Sequence, residues 1–153
     1  MSRSGYCDDY GYEDPLALGR WRQAVRRALE GKRGQAFLRE TLAALDAMPE
    51  KRLITGDLVR TNSVLRPTED WSNGCCTLGA VALARGVDTT SVDPHERDEV
   101  AALFGIAPAM AAEISFENDE HSPFGMRNKE TPEQRWQRMR AWVASKIKSE
   151  PES

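Results

Sequence analysis

The stretch Trp71-Ser72-Asn73-Gly74-Cys75-Cys76-Thr77-Leu78-Gly79-Ala80-Val81-Ala82-Leu83-Ala84-Arg85-Gly86 decides how this 153-residue chain folds. Asn73-Gly74 favours positive φ and hence a turn. From Thr77 to Ala84 no residue carries a charge and no side chain is longer than leucine. A helix apolar on every side belongs in an interior, so the segment reads as a buried central helix with the other helices packed around it. Gly79 and the alanines let neighbours approach closely. Arg85-Gly86 supplies a cation and a glycine cap at the C-terminal end. Thr77 reads as the N-cap, which sets Cys76 beside the positive end of the helix, a position that activates thiols. The competing reading makes Cys75 and Cys76 two small buried hydrophobes, the commoner fate of free cysteine.

A chain of this length makes one domain, large enough to bury about two-thirds of its unfolded surface without disulfide or metal. Of three cysteines two are adjacent, and vicinal cysteines bridge only with strain, which points to a reducing compartment. The opening Met-Ser-Arg-Ser-Gly-Tyr-Cys-Asp-Asp lacks the apolar run of a signal peptide, and no segment has the length of a membrane span. A cytoplasmic protein without a membrane partner is expected. The net charge of -3 gives no global bias toward nucleic acid. Its distribution is uneven: Arg20 to Arg39 holds seven basic residues against one acidic, and Asp88 to Glu120 nine acidic against one arginine. The two regions either face each other or form separate surfaces.

Working outward, residues 1–14 mix tyrosine, glycine and acid without a period and read as an acidic, solvated arm. Cys7-Asp8-Asp9 with Glu13-Asp14 matches neither an EF-hand loop nor a zinc pattern, so no metal and no cofactor is implied. Leu18, Trp21, Val25, Ala28 and Leu29 recur at helical spacing from Pro15 to Gly31, with Arg20, Arg22, Arg26 and Arg27 on the other faces. A second helix spans about Gly34 to Met48, and the short Gly-Lys-Arg-Gly link makes an antiparallel helical hairpin economical. Leu53-Ile54 and Leu58-Val59 read as a helical turn or as a short β-hairpin within residues 52–60. Arg60 to Asp70 is a polar loop, and Trp71 reads as a lid on the core. Asp93-Pro94 looks like a cap and first-turn proline, followed by Val100, Leu103 and Phe104 facing inward. A further helix opens at Pro108 and runs toward Phe116, and Asn118-Asp119-Glu120-His121 reads as a polar loop. Thr131-Pro132-Glu133-Gln134 starts the last helix, with Trp136, Met139, Val143 and Ile147 inward and Trp142 partly exposed. The expectation is an all-α bundle of five or six helices over residues 15–148, with a disordered tail at 149–153.

Two constellations suggest chemistry or recognition. Ala101, Gly105, Ala107 and Ile114 form the skeleton of a helix-turn-helix. Its second helix, Pro-Ala-Met-Ala-Ala-Glu-Ile, offers nothing for base edges and lies in the most acidic third of the chain, which disfavours DNA. The other is a thiol with a base: Cys76, then His121 or His95, then Asn118 or Asp119, in the order used by cysteine hydrolases. Were the chain an enzyme, Cys76, His121 and Asp119 would be its catalytic residues. The block around Cys76 is neither a papain-type nor a caspase-type signature, so the set is incomplete and argues for no enzyme.

The blocks Gly31-Lys-Arg-Gly-Gln-Ala-Phe-Leu-Arg-Glu, Leu45-Asp-Ala-Met-Pro-Glu-Lys-Arg-Leu-Ile, Cys76-Thr-Leu-Gly-Ala, Glu117-Asn-Asp-Glu and Thr131-Pro-Glu-Gln-Arg-Trp-Gln-Arg-Met-Arg-Ala-Trp-Val resemble a family of small phage, prophage and mobile-element proteins. More distantly, the Cys-x-x-Gly-Ala and Asn-Asp elements look like an uncharacterised bacterial domain family. This chain carries a longer loop before Cys75 than the pattern has. The resemblance implies a setting and no activity: accessory proteins of mobile elements often bind and block host factors. An accessory factor that binds a host or phage protein is therefore expected, with an anti-CRISPR-like or other anti-phage target. The expected binding surface is Arg20, Arg26, Arg27 and Arg33, then Arg66 and Trp71 in the loop, where charge steers association.

Overall fold

A computed structural model describes residues 3–4, 15–61, 73–120 and 130–149. Its elements are α1 (Pro15–Glu30), α2 (Lys32–Ala47), β1 (Val59–Arg60), β2 (Gly74–Cys75), α3 (Thr77–Arg85), α4 (Arg97–Phe104), α5 (Pro108–Asp119) and α6 (Pro132–Lys146). The all-α expectation holds, with six helices and one pair of two-residue strands among the described residues.

The uncharged stretch does form a helix, and Thr77 to Ala82 are buried. Its last turn departs from the expectation, because Leu83 is 57% exposed and Ala84 and Arg85 also reach the surface. The helix starts one residue earlier than the cap logic implies. Cys76 is the N-cap, its Sγ accepting from the Gly79 N–H, while Thr77 lies in the first turn. Gly86 closes the other end in the left-handed conformation. A Cβ on Gly79 would collide with the Leu58 carbonyl, so only glycine allows α3 to sit at backbone distance from that segment.

The β pair is antiparallel, Val59 opposite Cys75 and Arg60 opposite Gly74. Its first arm falls in the predicted stretch and its second across the loop, immediately before α3. Leu53 and Ile54 extend the link: Leu53 N–H donates to the Pro132 carbonyl, Ile54 N–H to that of Cys75. The second largely buried helix is α5, whose Met110, Ala111, Ala112 and Ile114 join the core with Leu38, Leu45, Val81, Met139 and Val143. It runs on to Asp119, so Asn118 and Asp119 are helical and not in a loop.

Only Gly31 separates α1 from α2, a tighter corner than the four-residue link. Gln35 secures it by donating to the Leu29 and Lys146 carbonyls, and its Oε1 accepts from Lys148 N–H. Asp93-Pro94 does not begin α4. Asp93 Oδ1 accepts from His95 N–H and its carbonyl from Glu96 N–H, a local turn that competes with helix, and the helix starts at Arg97. Thr131 and Gln134 form the expected reciprocal capping box on α6. No single helix among the described residues is long and apolar enough to cross a membrane; α4 and α5 approach that composition together but are bent by 105°.

Candidate functional site

The end of α5 meets the start of α3 in a polar junction inside an apolar core. Asn118 sits one turn beyond Ile114 and two beyond Met110, on the buried face, and is 1% exposed. Its Oδ1 accepts from the Thr77 N–H (3.1 Å) and hydroxyl (2.8 Å), and its Nδ2 donates to the Ile54 carbonyl (2.9 Å) and to Asp119 Oδ1 (2.8 Å). One carboxamide thus satisfies an N–H of the α3 first turn and a carbonyl of the Leu53–Ile54 segment, groups that burial would otherwise leave unpaired.

Asp119 carries the junction outward. Its carboxylate takes a bidentate pair from Arg3, Nε at 2.6 Å and Nη2 at 2.7 Å, and a longer bond from Gly56 N–H at 3.4 Å. Arg3 is 3% exposed, and its Nη1 also donates to the Asp57 carbonyl (3.1 Å) and to Cys76 Sγ (3.5 Å). Burial opposes the guanidinium charge, yet the Cys76 sulfur and Asp119 outweigh it and hold its pKa above the ordinary arginine range. The neighbouring Ser4 is fully buried, with its hydroxyl on Glu120 (2.6 Å) and its carbonyl accepting from Arg97 (3.4 Å). The two described residues of the supposedly solvated arm are therefore docked in the interior, because Asp119 and Glu120 offer a buried cation and a hydroxyl their partners.

The two cysteines are free and buried, in different surroundings. Cys76 belongs to the junction. Cys75 faces the apolar side, and burial, then the neighbouring Cys76, push its thiol up to about 12. The structure brings two of the proposed catalytic residues together, Cys76 and Asp119 meeting through Arg3. His121 lies outside the described residues. His95 is exposed and sits 3.4 Å from Asp93. Among the described residues the hydrogen bonds to Cys76 Sγ come from Arg3 and Gly79, not from an imidazole.

A second ionic cluster backs the first. Glu130, 7% exposed, pairs with Arg138 (2.6 Å) and Arg135 (3.3 Å), and Arg138 donates to the Glu117 and Asn118 carbonyls at the end of α5. A cation on those last carbonyls suits the helix dipole.

A groove also opens along α3. Of about 750 Å³, it runs between the ends of α2 and α3 and the β pair, lined by Ala44, Ala47, Met48, Val59, Ala80 and Leu83. Cys75, Glu50, Arg52 and Arg60 also line it, the two arginines paired with Glu133 and Asp57. Such a volume suits an apolar side chain or a small ligand.

The predicted basic surface is exposed at Arg20, Arg26, Arg27 and Arg33 but does not converge. Arg27 and Arg33 line a crevice of about 180 Å³ at the α1–α2 corner. Arg26 lies with Arg22 along a separate groove opposite Glu113 and Glu117, so the basic and acidic regions face each other there. Arg66 and Trp71 lie outside the described residues, as does Cys7. As for the helix-turn-helix skeleton, α5 would be its reading helix, and eight of its twelve residues are buried, which leaves no face for a groove of DNA.

Sequence reasoning missed Arg3, Ser4 and Glu130 as buried polar groups, and the groove beside Leu83. Only Asn118 had a signal, its four-residue step from Ile114. Compared with known proteins, the chain matches no family model, no curated protein and no solved structure.

Proposed function

We propose that this protein is an accessory factor of a mobile genetic element that acts by binding a host or phage protein through the groove beside Leu83, with a host anti-phage defence component as the target. The observation that carries the binding part is the exposed Leu83 over an apolar groove of about 750 Å³. Arg52 and Arg60 in its lining are already paired with Glu133 and Asp57, and Glu50 lines it too, so the matching partner segment is recognised by an apolar side chain seated against Leu83. The mobile-element setting and the defence target rest on the sequence resemblance alone. Against a cysteine hydrolase stands the placement of Cys76, whose sulfur is covered by Arg3.

The test is co-purification from a host lysate with three forms of the chain: wild type, Leu83→Glu and Arg26→Glu. A partner retained by wild type and Arg26→Glu but lost by Leu83→Glu, at unchanged melting temperature, supports the reading. A partner indifferent to Leu83 and lost on changing Arg26 moves the surface to α1; no partner at all contradicts the reading.

A further inference from the structure

The arginines of the described residues are held by partners except on α1 and at its corner with α2. Arg22, Arg26, Arg27, Lys32 and Arg33 are exposed, and among the described residues none of their side chains has an ion pair, a hydrogen bond or a ring contact. Arg85, Arg138 and Arg140, by contrast, grip Glu40, Glu130 and Asp46. The one acid within this stretch, Glu30, is engaged by Lys148 at 3.5 Å. In a chain of net charge -3, cations left uncompensated along one helix mark a surface for an anionic partner.

The shape of the surface selects the anion. The face that carries Gly19, Gln23 and Glu30 is exposed, and a Cβ added at Gly19 would meet open space. The 3.6-residue period places Arg22 and Arg26 on one flank of that face and Arg27 on the other. The crevices agree. Arg22 and Arg26 line the groove toward Trp142 and Lys146 of α6, and Arg27 lines the crevice toward Ile106 and Met110, shared with Lys32 and Arg33. Glu113 and Glu117 line the first groove as well but pair with neither arginine. Cations thus run along both sides of an open helix, which suits two lines of negative charge, one on each side, and not a single point. A protein partner would need an apolar anchor at the centre of the surface. The large exposed apolar side chain of α1, Leu16, stands in its first turn, outside the cationic stretch.

We propose that the exposed face of α1 binds duplex B-form DNA, lying along the major groove with Arg22 and Arg26 against one phosphate strand and Arg27, Lys32 and Arg33 against the other. That groove is about 12 Å wide and a helix with its side chains about 10–12 Å across, so both flanks reach phosphate at once. The major groove of A-form RNA is too narrow to admit the helix. Gln23 is the one amide at the centre of the face, so the contacts are with the backbone and are nearly indifferent to sequence. This mode is distinct from a helix-turn-helix read through α5. It shares no residue with the groove beside Leu83 and does not rest on the protein partner proposed there.

The experiment is fluorescence anisotropy of a labelled DNA duplex of about 20 base pairs and mixed sequence, titrated with the full chain between about 50 and 200 mM salt. Wild type is expected to bind, with log K falling against log salt at a slope of about -4, the counterion release expected when about five cations meet phosphates. Arg26→Gln and Arg27→Gln, one on each flank, should each lower that slope by about one at unchanged melting temperature. Leu83→Glu should leave binding as it is. The RNA duplex of the same sequence should bind at least tenfold more weakly. Absence of binding at the lowest salt overturns the proposal, as does a slope indifferent to both arginines. Equal affinity for the RNA duplex overturns the major-groove placement, and tighter binding of labelled poly-glutamate than of DNA makes the face a site for acidic protein instead.

Discussion

Asn118 has the most to lose from a single substitution. Asn118→Ala removes the acceptor for the Thr77 N–H and hydroxyl and the donor to the Ile54 carbonyl, all inside the core. With buried groups left unpaired, a loss of about 3 kcal/mol is expected in urea denaturation. Two glycines in helices make a sharper contrast. Gly79→Ala drives a Cβ into the Leu58 carbonyl and should cost about 2–3 kcal/mol. Gly19→Ala, with open space around it in α1, should stabilise by about 0.5–1 kcal/mol. Cys75 gives a pH signature. Its thiol is raised from 9.0 to about 12, so the folded protein keeps a proton that the unfolded chain releases. Its contribution is intact below pH 9 and is lost as pH rises from 9 toward 12. Urea midpoints across that window should fall more steeply for wild type than for Cys75→Ala.

Between elements, burial decides which charged clamps matter. Arg138 and Arg140 each grip a carboxylate with two bonds, Glu130 and Asp46 respectively. Glu130 is almost wholly buried, and Arg138 also holds the last carbonyls of α5. Arg138→Ala should cost about 2–3 kcal/mol, with Arg135 keeping part of the compensation for Glu130. Arg140→Ala, at the surface, should leave the urea midpoint within error. At this scale most of the fold was legible beforehand. Helical spacing located α1, α2 and α6, and the Thr131–Gln134 box located the start of α6, because these are local signals of propensity and capping. Failures came where a distant partner overrode the local pattern. Asn118-Asp119-Glu120 reads as a polar loop, yet α5 continues because Thr77, Ile54 and Arg3 supply its side chains with partners. Arg3 and Ser4 look solvated for the same reason: nothing near them in sequence reveals a carboxylate 116 residues away. Leu83 looks buried because an uncharged octet cannot show that its last turn clears the core.

For the whole molecule, α3 borders two unlike environments. In one, Asn118, Asp119 and Arg3 tie the first turn of α3 to the end of α5 in a dense polar junction. In the other, the last turn of α3 stands beside an apolar groove lined from α2, α3 and β1. The first arrangement fixes α3, and the second presents an apolar side chain on that fixed helix, the combination a protein-binding surface needs if little ordering is to be lost on association. Charge patterning located exposed arginines on α1, but Arg27 lines one crevice and Arg22 and Arg26 another, a separation that sequence spacing alone does not show. The direct measurement is photo-crosslinking in host cells, with benzoylphenylalanine placed at position 83 in one form of the chain and at the exposed position 137 of α6 in another. A single defined protein adduct from position 83, with none from position 137, is the predicted result. Adducts from position 137 with none from position 83 would contradict it.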